Sequence, residues 1–133
     1  MPARSTTSTI AWFSDLTLAD LDQVGGKNAS LGEMVRNLTS AGVRVPDGFA
    51  TTAAAYRRFI TDSGLAEMLN TELNALDTEN IDQLAAVGRR IREAMIRQPR
   101  PANLEADIRA AYARLAGQSG KRRQRCGVLR SAV

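Results

Sequence analysis

From residue 30 to residue 116 apolar side chains recur every three or four positions, and glycine or proline interrupts the recurrence at about the length of a helix. This spacing predicts a first helix over about Ser30 to Thr39, carried by Leu31, Met34, Val35 and Leu38 and stopped at Gly42. A second is predicted from Ala53 to about Thr61, burying Tyr56, Phe59 and Ile60, with Arg57 and Arg58 outward and Gly64 as its stop. A third follows from Leu65 to Leu76 on a stripe of Leu65, Met68, Leu69, Leu73 and Leu76. The fourth runs from near Asn80 to about Arg97, with Ile81, Leu84, Gly88, Ile91 and Met95 inward, and ends before Pro99 and Pro101. Gly88 there hints at a close helix crossing, and Arg89, Arg90, Arg92 and Arg97 form a solvated basic flank or a partner surface. The fifth, about Asn103 to Ala116, buries Leu104, Ile108, Ala111, Tyr112 and Leu115 and closes at Gly117.

Two short stretches read differently. Ile10-Ala11-Trp12-Phe13 and Phe49-Ala50-Thr51-Thr52 have the aromatic and β-branched content of brief strands. Trp12 is expected in the core, and Thr51 and Thr52 as caps for the next helix. Before the second strand, Pro46-Asp47-Gly48 has the composition of a turn in which glycine takes positive φ. Asp20 and Asp22 read as solvated loop acids. The fold class expected is therefore helix-rich α/β, four to five helices with a few short strands and no complete parallel sheet.

The candidate chemistry lies ahead of the first helix, in Val24-Gly25-Gly26-Lys27-Asn28-Ala29-Ser30. Paired glycines let the backbone approach a ligand closely, a helix N-terminus favours an anion, and Lys27 adds a full positive charge. Ser30 and Glu33 match the spacing of a capping box. The stretch is not a Walker P-loop, because Leu21 and Asn28 stand where that motif needs glycine and a serine or threonine. Spacing alone favours a glycine turn capping an ordinary helix with a solvated lysine over a phosphate-facing loop with Gly25, Gly26 and Lys27 on the ligand.

Composition narrows the classes. The 133 residues contain no histidine, so histidine acid-base chemistry and phosphohistidine formation are excluded within the chain. The single cysteine, Cys126, cannot form an internal disulfide or a zinc site, which suits a reducing cytoplasm. Residues 1–9 are Ser/Thr-rich and flexible in composition, and no apolar run follows that would serve as a signal or membrane segment. The net charge of +4 is placed unevenly: residues 117–133 carry +5 with no acid, which leaves the body at −1. The basic balance thus belongs to the tail, and nucleic acid is not the expected partner of the body.

Gln23 to Met34, followed by Val43-Arg44-Val45-Pro46-Asp47-Gly48-Phe49-Ala50-Thr51-Thr52, resembles in order and spacing the amino-terminal opening of the phosphoenolpyruvate synthase (pyruvate, water dikinase) family. The resemblance runs from about Ile10 to about Gly117. Related dikinases and rifampin phosphotransferase share the same ATP-grasp-like domain. The resemblance implies that residues 10–117 are the first lobe of that ATP-binding domain, with Lys27 clamping ATP phosphates beside Gly25 and Gly26, and with Mg2+ accompanying the nucleotide. It further implies that ATP passes its β-phosphoryl group to a histidine on a separate domain, which then phosphorylates pyruvate, so that ATP, pyruvate and water become AMP, phosphoenolpyruvate and phosphate. Family members continue after this region into a strand bearing a Val-Arg-Ser-Ser-Ala type motif whose arginine contacts phosphate. Val128-Leu129-Arg130-Ser131-Ala132 echoes it, making Arg130 the counterpart the resemblance points to. The Arg-rich composition of 118–133 departs from the pattern and reads as a disordered or frame-shifted tail. The expected function is thus a piece of a phosphoenolpyruvate synthase, without turnover of its own. The competing readings are a piece of a rifampin-type phosphotransferase, a helical binding module with a basic tail, or a non-functional product with exposed apolar surface.

Overall fold

A computed structural model describes residues 8–118. Its elements are β1 (Ile10–Trp12), α1 (Leu21–Ser40), β2 (Phe49–Thr51), α2 (Ala53–Asp62), α3 (Leu65–Asn74), α4 (Ile81–Arg97) and α5 (Ala102–Gln118), with single 3-10 turns at Phe13–Asp15 and Leu18–Asp20. The helix-rich expectation holds, and the strand pairing left open by the sequence is antiparallel, with Ile10 opposite Thr51, Ala11 opposite Ala50 and Trp12 opposite Phe49. The chain divides into two compact units, residues 1–56 with 103–133, and residues 57–102.

In the first unit the core is Leu16, Val24, Ala29 and Ala50, flanked by Ala11 and Phe13. These side chains are small because the backbones come close. A Cβ on Gly32 would lie 2.6 Å from Leu16 Cβ and 2.7 Å from Leu16 O, so only glycine lets α1 pass the chain at Leu16. Gly48 is likewise needed for its size: a Cβ there would fall 2.6 Å from Cε2 of Phe13. That corrects the expected turn, since positive φ occurs at Gly25, Gly42 and Gly64 but not at Gly48. The Gly48 carbonyl accepts the Phe13 amide at 2.9 Å, while Asp47 Oδ1 accepts the amides of Gly48 and Ser14 at 2.8 and 3.3 Å. Thr52 is the cap the sequence implied: its Oγ1 accepts the Ala55 amide at 3.2 Å and donates to the Ser8 carbonyl at 2.6 Å. α5 is tied to β1 by a hydrogen bond from Thr9 to Asp107 and by the Arg114 guanidinium, 4.3 Å from the Trp12 ring centroid. Trp12 also lies 5.6 Å from the Phe49 ring.

Asp20 is not a solvated acid. It is buried and closes a capping box with Thr17, whose amide donates to Asp20 Oδ2 at 2.9 Å while Thr17 Oγ1 accepts the Ala19 amide at 3.2 Å. The sequence placed this device thirteen residues late, at Ser30, which lies well inside α1. Glu33, its supposed partner, reaches back instead to accept the Leu18 amide at 3.1 Å.

In the second unit α3 packs on α4, with Leu65 and Val87 buried and an ion pair from Arg90 to Glu72 at 2.6 Å. One member of the arginine flank is thus structural. The inner face of α4 is only in part the one expected: Gly88, Ile91 and Met95 are half-buried, but Ile81 is 78% and Leu84 46% exposed, and Val87 is the buried residue. Gly88 meets only the guanidinium of Arg92 on its own helix, so it marks no helix crossing. Leu73 of α3, Tyr56 of α2 and Tyr112 of α5 are also exposed, contrary to their apolar stripes, because a helix packed on one narrow side leaves the stripe's edges in water. α5 runs through Gly117 to Gln118 instead of closing at Gly117.

Two outcomes follow. Gly32→Ala should destabilise the fold by roughly 1–3 kcal/mol through overpacking against Leu16, read as a lower urea midpoint at unchanged slope. The Glu72 carboxyl is held below its ordinary value of 4.5, chiefly by the Arg90 hydrogen bond and further by its charge, with partial burial opposing. A depressed carboxylate contributes stability above its unfolded value and loses it as pH falls through the folded one. Acidification below about pH 4.5 should therefore weaken the α3–α4 pair less in Glu72→Gln than in the parent, a small difference at this solvent-screened site, measurable by thermal melts across pH.

Candidate nucleotide-binding site

α1 is two helices joined at Gly25, whose φ of 78° and ψ of 162° are open almost exclusively to glycine. Helix resumes at Gly26 and runs to Ser40, so the free N-terminal amides of a long helix begin at Gly26 and Lys27. This start lies four residues before the one the capping pattern implied, and it puts Lys27 in the first turn, not in a preceding loop.

Gly26 and Lys27 are exposed and Gly25 is half-buried. A Cβ on Gly25 or Gly26 would meet nothing within 4 Å, so the backbone at both positions is open to an approaching group. Gly26 and Lys27, with Ser30, Leu31 and Met34, line an open depression of about 390 Å³. The structure therefore brings the three candidates Gly25, Gly26 and Lys27 together at one exposed helix start. Arg130, the fourth, lies outside the described residues, as do Cys126 and the basic tail.

One residue of this turn escaped the sequence reading. Asn28 Nδ2 donates to the Val24 carbonyl at 2.7 Å and so bridges the break at Gly25. A short amide four residues after the last residue of an interrupted helix is the signal that would have found it.

Residues 21–133 match the family described as pyruvate phosphate dikinase, AMP/ATP-binding domain. The chain belongs to this family. The match begins at the first residue of α1 and so contains the whole glycine turn, and it extends through the basic tail to Val133.

Relatives agree on the enzyme. The chain is 48% identical over 111 residues to a phosphoenolpyruvate synthase of Neisseria meningitidis, covering 84% of this chain and 14% of that protein. It is 46% identical over 106 residues to the phosphoenolpyruvate synthase of Escherichia coli, covering 80% and 13%. With that of Synechocystis it shares 41% over 126 residues, covering 95% and 15%. The chain thus corresponds to part of the ATP-binding region of phosphoenolpyruvate synthase and spans about one seventh of the length of these relatives. Among the described residues no helix is long and apolar enough to cross a membrane.

The turn's geometry makes a contrast between two adjacent glycines. Gly25→Ala should cost about 1–3 kcal/mol, because alanine is strained at that φ and ψ. Gly26→Ala, at a helical position facing open space, should leave stability unchanged or raise it by up to about 1 kcal/mol. Paired urea denaturation curves check both.

Proposed function

We propose that this chain supplies the phosphate-facing opening of the ATP site of a phosphoenolpyruvate synthase, the enzyme that converts ATP, pyruvate and water into AMP, phosphoenolpyruvate and phosphate. The observation that carries the reading is the break at Gly25, which starts a new helix at Gly26 and so sets its first amides and Lys27 at one open depression. Such a helix start favours an anion, and Lys27 adds a point charge suited to a polyphosphate. The reported relatives, each named phosphoenolpyruvate synthase, favour this reading over an antibiotic phosphotransferase.

Lys27 is the electrostatic clamp, and Gly25 and Gly26 allow the close approach. Phosphoryl transfer depends on positioning and charge neutralisation, and Mg2+ bound to the nucleotide would supply part of the latter. Among the described residues no group of three or more histidine, cysteine, aspartate or glutamate side chains is placed to hold a metal ion. With no histidine, the chain does not carry the phosphoryl group itself, and pyruvate belongs to other parts of such an enzyme. Cytoplasmic residence accords with ATP as ligand.

An exposed helix start with one lysine binds ATP weakly, with a dissociation constant on the order of 1 mM, about 4 kcal/mol. Titrating ATP into the isotopically labelled chain should shift the amide signals of Gly26 and Lys27, and Lys27→Ala should abolish the shift. Signals at Gly26 and Lys27 that stay fixed throughout the titration would overturn the reading.

A further inference from the structure

We propose that Asn28 is the positioning residue of the glycine turn: by holding the Val24 carbonyl it fixes the angle at Gly25 and keeps the amides of Gly26 and Lys27 presented to phosphate. The proposal rests on the phosphate-facing reading above. Val24 is buried in the core and ends the first segment of α1, so its carbonyl is a fixed point. Gly25 follows with no side chain and nothing within 4 Å of where one would be, so no packing restrains its torsions. Asn28 lies one turn into the helix that follows, and its 2.7 Å bond to Val24 is the side-chain contact that bridges the two segments. Ala29, fully buried beside it, keeps Asn28 from turning away with the helix surface.

The chemistry of the side chain matters as well. A neutral amide donates to the carbonyl without adding charge. A carboxylate in its place would repel both that carbonyl and an incoming phosphate, and a lysine would compete with Lys27 for it. Serine offers a hydroxyl that bonds a carbonyl four residues back, so it is the substitution that restores the donor.

The test compares Asn28→Ala, Asn28→Ser and Lys27→Ala in the 133-residue chain, by amide hydrogen exchange and by ATP titration followed at the Gly26 and Lys27 amides. Loss of one side-chain hydrogen bond should speed exchange at Gly25, Gly26 and Lys27 and weaken ATP binding by about fivefold in Asn28→Ala, at unchanged helix content by circular dichroism. Asn28→Ser should recover part of both effects. Lys27→Ala should lose ATP binding while its turn exchanges at the parental rate. A purely structural role would change exchange alone, so parental ATP affinity in Asn28→Ala, with Lys27→Ala impaired, overturns the proposal and leaves the ATP reading standing. Unchanged exchange in Asn28→Ala overturns it too. Absence of ATP binding in the parent chain removes the ATP reading, and the positioning role with it.

Discussion

The close approach of α1 to the main chain at Leu16 is the constraint on which the first unit depends. A helix that passes within contact of another backbone needs a position without a side chain, and Gly32 is that position. Because the two backbones touch there, everything between them is held at short range: Glu33, next on the helix, reaches the Leu18 amide, and the Thr17–Asp20 capping box is closed directly above the start of α1. The core can then be built from one leucine, one valine and two alanines, with no large side chain fully buried among the described residues.

That anchoring also explains how an open glycine can sit in the middle of α1. The segment before Gly25 is held by buried Val24, and the segment after it by buried Ala29 and by Gly32 against Leu16. Between two fixed pieces a residue of high conformational freedom costs entropy, but it turns the peptide plane at a defined place. The helix start so created faces open space, which is where a binding turn is useful and where a core residue would be wasted.

Much of this was legible in the sequence, and the failures have physical causes. Gly42 and Gly64 stop helices because they supply left-handed conformations, and Pro99 ends α4 because it cannot continue one; these signals are local and read correctly. The start of α1 was misplaced because Ser30 with Glu33 carries the spacing of a capping box although both lie inside the helix, whereas the box that forms, Thr17 with Asp20, closes the 3-10 turn at Leu18–Asp20. The Gly25–Gly26 pair was recognisable as a turn, but its place within α1 depends on Val24 and Ala29 being buried together, a tertiary fact. Asp20 was misread because its partner is a backbone amide, which sequence does not display. Gly48 was read for its torsions when its role is to make room for the Phe13 ring. The sides of α4 were misjudged because its apolar residues exceed what α3 covers, leaving Ile81 in water and Val87 inside.

The joint between α5 and β1 carries a consequence of its own. The guanidinium of Arg114 lies over the face of Trp12, the single tryptophan of the chain, about a hundred positions earlier in sequence. All indole emission from this protein therefore originates at the seam where α5 meets β1. If that seam opens, the ring exchanges a cation for solvent and its spectrum moves, so the chain carries a built-in optical gauge of whether α5 is seated on β1.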